Sequence, residues 1–243
     1  MARRTGFALL GLAAILVSTV CTSGAFAEPA AGGSGAYPST TGDDPGACAV
    51  SDVDYALTAS VMLRGTPLGA ADGVHPLGSG TMRLRFDRGD EVPTAKLMRY
   101  TVDNRMTVVT TVAWIKTTVT AESRTGTQPL PCEGSAQGTL SGSRLVWEGP
   151  VRGYGSDGTI TCDGSMCGSF GAPPKGASSL RDHPADLRFG AFVFSADGST
   201  FTMPYTQVPT TTSGSQKTFL ALSGRRIGHS CMPSPPTCRV ASR

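Results

Sequence analysis

Three histidines, His75, His183 and His229, are the chain's first candidates for chemistry. His183 stands in Arg181-Asp182-His183-Pro184-Ala185-Asp186, and an imidazole beside carboxylates has the makings of a general base. Residues adjacent in sequence rarely point at one reacting atom, however. Ser165 and Ser169 sit in no Gly-x-Ser-x-Gly elbow, so the pattern offers His183 no nucleophile. A turn in a solvated loop accounts for Asp182 and His183 more simply. The acidic residues are equally plain. Asp52 and Asp54 share one strand face, where they could meet a cation or a sugar, but a solvated face suffices. The Asp-Gly pairs at 72, 157, 163 and 197 lack the regular oxygen-donor spacing of a calcium loop and read as turns. No motif specifies a reaction, and the expectation is a protein with no catalytic residues, cofactor or metal.

Binding chemistry is better represented. Trp114, Trp147 and Tyr205 are large aromatics that would stack on sugar rings if exposed, line a cavity if inside a barrel, or simply pack the core. Arg83 and Arg85, with Arg88, Lys96 and Arg99, could form a positive stripe across neighbouring strands for an anionic ligand. The simpler account is that outward arginines keep exposed strands from pairing with other chains. Trp114, Trp147, Tyr205, Arg83 and Arg85 are therefore the candidate ligand-binding residues.

The cysteines belong with the first 27 residues. Arg3 and Arg4, an apolar stretch from Phe7 to Val20, and Ala25-Phe26-Ala27 have the order of a secretory signal peptide. The apolar run is too short to span a bilayer. Cleavage near Ala27 is preferred to lipidation at Cys21, because Val20 is bulkier than a lipobox takes at that place. The expected location is extracytoplasmic, periplasmic or secreted, and the Ala, Gly and Arg usage has a bacterial style. The mature chain would keep six cysteines: Cys48, Cys132, Cys162, Cys167, Cys231 and Cys238. An even number in an oxidising compartment reads as three disulfides, with fifteen pairings open. Short spacing favours Cys162 with Cys167 and Cys231 with Cys238, which leaves Cys48 for Cys132. Zinc is disfavoured, because the spacings are wider than two residues and export favours oxidation.

The mature chain would also keep 19 of the 21 basic residues and all 18 acidic ones, for a net charge near +1. Charge so balanced argues against a nucleic-acid partner. Residues 28–47 hold too little apolar surface to order themselves and read as a spacer. From Cys48 onward the period is two. Val53, Tyr55, Leu57, Ala59, Val61 and Leu63 alternate with mostly polar residues, as do Met82, Leu84 and Phe86. Residues 65–79 read as loop and 94–102 as a strand. Val102-Asp103-Asn104-Arg105 reads as a tight turn. One long strand then covers 105–121, and its apolar set changes phase near 113–116, which reads as a β-bulge. Shorter strands are expected near 136–141, 143–149, 157–162, 186–195, 201–205 and 218–223. Ala196-Asp197-Gly198 suits a hairpin loop, Pro204 marks an edge or bulge, and 178–182 has room for one helical turn at most.

These elements imply one all-β domain over 48–243: an antiparallel β-barrel or β-sandwich of about nine to eleven strands, stapled by disulfides, with a disulfide-closed C-terminal tail. Long half-apolar strands favour the barrel. The role expected first is non-enzymatic: a barrel holding a small apolar or lipid-like ligand. The alternative is a cell-envelope or surface component that binds proteins or glycans through its outer face. A hydrolase with His183 as base is the third reading.

Overall fold

Val53, Tyr55, Leu57, Ala59, Val61 and Leu63 are all buried, so the period-two pattern does form a single inward face. The computed structural model describes residues 48–66, 71–112, 114–127, 134–169, 172–182, 187–208 and 216–232. The expected signal segment, the spacer, Cys132, His183 and Cys238 lie outside the described residues. Among the described residues there are eleven strands: β1 (Val50–Arg64), β2 (Gly73–Asp87), β3 (Thr94–Val112), β4 (Ile115–Thr127), β5 (Ala136–Ser141), β6 (Arg144–Trp147), β7 (Tyr154–Gly164), β8 (Gly176–Asp182), β9 (Phe192–Phe194), β10 (Thr200–Val208) and β11 (Lys217–Met232). They form one antiparallel sheet in the order β2-β1-β11-β10-β9-β6-β5-β3-β4-β7-β8.

A further pairing, β2 with β3, closes eight of these strands into a ring. β3 makes the closure possible by dividing its length. Its first half pairs with β2 on one side and, over Thr94–Leu97, with β5 on the other. Beyond this, from Thr101 to Val112, that second side pairs with β4. β4 carries β7, and β7 carries β8, so a wing leaves the barrel wall. Among the described residues β8 pairs only with β7. No helix of the described residues is long and apolar enough to cross a membrane.

The barrel is filled. Phe192 and Phe201 stack with centroids 4.6 Å apart, and Tyr55 meets Phe201 edge-on at 5.1 Å. Phe86 on β2 touches Phe194 on β9 at 5.7 Å, although three strands separate them around the wall. Trp147 meets Phe192, and Tyr100 meets Phe189, at 5.2 and 5.3 Å. These contacts cross the lumen, and eight strands leave a lumen that side chains can fill. Opposite Phe201, Gly224 has no room for a side chain, since a Cβ there would fall 2.1 Å from the ring. Outward positions carry Asp52, Asp54, Arg83 and Arg85, the reverse of the alternation in a membrane barrel.

Several boundaries differ from the sequence expectation. β3 runs straight through Val102 to Arg105, because its backbone stays paired with β4 across the Asp-Asn pair. The expected bulge near 113–116 is instead a tight turn, since Val112 pairs with Ile115 and Trp114 has φ of 68°. A reversal of direction shifts the apolar phase just as a bulge does. A true bulge lies earlier, where Arg83 pairs with Arg99 but Leu84 with Leu97, leaving Met98 unpaired and moving the inward set from Leu97 to Tyr100. β2 begins at Gly73 and so takes part of the expected 65–79 loop. β11 extends to Met232, and 178–182 belongs to strand β8 rather than a helical turn. The register also breaks between Met203 and Thr206, around Pro204, as its missing N–H requires.

The disulfide pairing also differs. Cys162 pairs with Cys167, Cα atoms 5.9 Å apart, as short spacing suggests. Cys48 pairs with Cys231, at 5.6 Å, rather than with Cys132, which takes Cys231 from the expected pairing with Cys238 that was to close the C-terminal tail. The β1–β11 register sets Ser51 opposite Cys231, so strand pairing brings together cysteines 183 residues apart.

The β9–β10 hairpin is fastened by Asp197. Its Oδ1 accepts hydrogen bonds from Ser195 Oγ at 2.7 Å, Ser199 Oγ at 2.8 Å and Ser199 N–H at 3.0 Å. The Ser195 hydroxyl most of all, then both Ser199 donors, pull its pKa from 3.8 to about 2. Tyr55 Oη, from inside the barrel, donates to Gly198 O at 3.0 Å. A depressed carboxylate stabilises the fold above its unfolded pKa, and that gain is lost as pH falls through about 2. Asp197→Ala should therefore flatten the melting temperature's fall between pH 4 and about 2, measured by circular dichroism.

Candidate binding surface

The five residues expected to bind a ligand do not converge. Arg83 and Arg85 are occupied by carboxylates on the neighbouring strand. Arg85 donates two hydrogen bonds to Asp52, at 2.7 and 2.9 Å, and Arg83 donates two to Asp54, both at 2.8 Å. The paired register of β1 and β2 dictates this, with Asp52 opposite Arg85 and Asp54 opposite Arg83. Arg83 and Arg85 are thus neutralised within the stripe, and the clue was the matched two-residue spacing of the acids and the arginines. The pairs differ in depth. Arg85 and Asp52 side chains are 14% and 7% exposed, Arg83 and Asp54 49% and 35%. Arg85→Ala strips a nearly buried carboxylate of its bidentate partner and should cost about 3 kcal/mol. Arg83→Ala should cost less than about 1 kcal/mol. Urea unfolding midpoints of the two variants test the contrast.

Trp147 packs against Phe189 and Phe192 and belongs to the core. Tyr205 is turned outward by the bulge at Pro204, and its hydroxyl lies 3.0 Å from Ser60 Oγ on the barrel wall. Trp114 is a different case. It sits at the turn between β3 and β4 and is 96% exposed. The last barrel pairing of β3 is Asn104 with Gly78. The eight residues from there to Val112 carry the turn ~26 Å beyond it, at the usual rise per residue. β7 accompanies this arm as far as Thr117, opposite Gly164. The last two pairs, Thr111 with Lys116 and Val112 with Ile115, stand past it.

The arm has two unlike faces. Met106, Val108, Val119 and Ala121 are buried; Met106 and Val108 join the main core, while Val119 and Ala121 pack with Ile160 and Leu180 on β7 and β8 and against the Cys162–Cys167 turn. The other face is threonine-rich, with Thr107 and Thr120 hydroxyls 3.3 Å apart across the strands. Toward the barrel it carries an alternating row in register, Asp103, Arg124, Asp157 and Arg181, with ion pairs at 3.6 and 3.0 Å. Toward the turn each face carries an exposed apolar side chain, Val109 at 49% on the threonine-rich face and Ile115 at 45% on the opposite one. Trp114 is also the only non-glycine residue with positive φ among the described residues. A bulky side chain there is an outlier that costs of order 1–2 kcal/mol. The fold thus spends strain to present an indole at the end of an arm.

A second feature of the outer wall is a half-open cavity of about 450 Å³ beside β3, β5 and β6, lined by Lys96, Ser135, Gln137, Glu148 and Arg152. It is polar and gathers none of the aromatic candidates. No protein-family model, no curated protein and no solved structure matches the chain.

Proposed function

We propose that this protein is an extracytoplasmic, non-enzymatic binding protein that engages its partner from outside the barrel, with the β3–β4 arm as the principal contact. The observation that carries this reading is Trp114, almost fully exposed at the apex of an arm that leaves the barrel wall. Exposed indoles with apolar neighbours are the side chains that dominate binding surfaces. The paired cysteines are compatible with an oxidising compartment. A ligand inside the barrel is less well supported, because it would have to displace the stacked Phe192 and Phe201 and the rings around them.

Co-sedimentation with cell envelopes prepared from the source organism tests the reading. The parent protein should pellet with the envelopes, and Trp114→Ala should lower that binding by about tenfold or more, the scale of one buried aromatic side chain. Binding that survives Trp114→Ala unchanged would sink it.

A further inference from the structure

We infer that the arm's apex docks into the headgroup layer of a lipid bilayer bearing anionic lipids, with Trp114 and Ile115 entering the interface and Lys116 meeting lipid phosphates. The inference rests on the arm being the contact surface and names what that surface meets.

Four observations favour a bilayer over a protein partner. The first is shape. The apex is the convex end of a two-stranded ribbon, and the exposed apolar side chains described there are those of Trp114 and Ile115. A specific protein interface needs about 800 Å² on each side and a ring of contacts to exclude water. A bilayer interface needs no complementary shape, only an apolar tip that reaches a few ångströms into it. The second is residue type, because indole rings prefer the headgroup level of membranes.

The third is charge. Between Met106 and Ala121 there are six threonines, one lysine and no acidic residue. Lys116 lies two residues from the apex, within reach of headgroup phosphates. The nearest acid across the sheet, Asp163, is paired with Thr118, further back along the arm. The fourth is the backbone. Past Asn104 the β2-facing edge of β3 has no strand partner among the described residues. An open edge cannot enter hydrocarbon without leaving polar groups unpaired, so insertion stops at the headgroups.

The test uses the exported, disulfide-intact protein and protein-free vesicles of phosphatidylcholine, with and without one quarter phosphatidylglycerol. The parent should sediment with the phosphatidylglycerol vesicles. Trp114→Ala and Trp114→Gly should each weaken that binding about tenfold or more. Trp114→Gly should do so while melting no lower than the parent, since glycine relieves the positive φ. Lys116→Gln should weaken binding about fivefold on phosphatidylglycerol vesicles and leave phosphatidylcholine unchanged. The inference is overturned if vesicles bind the parent no better than Trp114→Ala. It is also overturned if envelopes bind the parent through Trp114 while protein-free vesicles do not. That second result leaves the arm as the contact surface and assigns it a protein or glycan partner.

Discussion

Replacing Cys48 and Cys231 together by alanine should lower the unfolding free energy by about 5 kcal/mol in the chain-entropy description of a cross-link. The bond joins residues 183 apart, so the loop it closes in the unfolded chain is almost the whole domain. It also ties the start of β1 to the end of β11, the first and last strands among the described residues. Cys162 and Cys167 are only five residues apart, and replacing both should cost about 2 kcal/mol. Equilibrium denaturation of the two double variants, compared at the transition midpoint, reads the difference. Equal losses would mean that the long bond stabilises by something other than loop closure.

Phe201→Ala should cost about 3–5 kcal/mol, the range for removing a fully buried aromatic ring. The ring stacks on Phe192, meets Tyr55 edge-on, lies 5.5 Å from Phe194 and covers Gly224 on the facing strand. Because those neighbours come from β1, β9 and β11, no single side chain can move in to fill the space. Trp114→Ala, by contrast, should leave stability almost unchanged, as nothing packs on a side chain 96% exposed. Two large aromatics thus have opposite uses. Phe201 holds the barrel shut, and Trp114 contributes to contact with something outside it. A Phe201→Ala variant as stable as the parent would mean a lumen looser than the ring contacts describe.

The inward faces of β1 and β2 were legible because their alternation is long and unbroken. Every one of the nine residues assigned to them, from Val53 to Phe86, is buried. The hairpin around Asp197 and the break at Pro204 were legible for another reason: Asp, Gly and Pro act locally, and their chemistry does not depend on what lies across the sheet. What depends on pairing was hidden. Val112 to Lys116 reads as a bulge or a turn with equal ease, because either one moves the apolar set by a residue, and the signal that distinguishes them is register with a partner strand. That ambiguity concealed the arm and left Trp114 as one aromatic among three. The cysteines show the same limit. Spacing found the local pair at 162 and 167 but missed Cys48 with Cys231, which the β1–β11 register creates. Arg83 and Arg85 looked available because their neutralising acids, Asp54 and Asp52, lie about thirty residues earlier on a paired strand.

The chain has two tryptophans, and they report the two places a partner could bind. Trp114 stands at the arm's apex, and Trp147 packs against Phe189 and Phe192 at the barrel core. The decisive measurement is the emission spectrum of the single-tryptophan variants Trp147→Phe and Trp114→Phe, titrated with source-organism envelopes. Engagement from outside through the arm predicts a blue shift in the Trp147→Phe protein, whose indole is Trp114, and a constant spectrum from Trp147 in the other. A shift confined to the Trp114→Phe protein would place the partner against the barrel core and contradict the account.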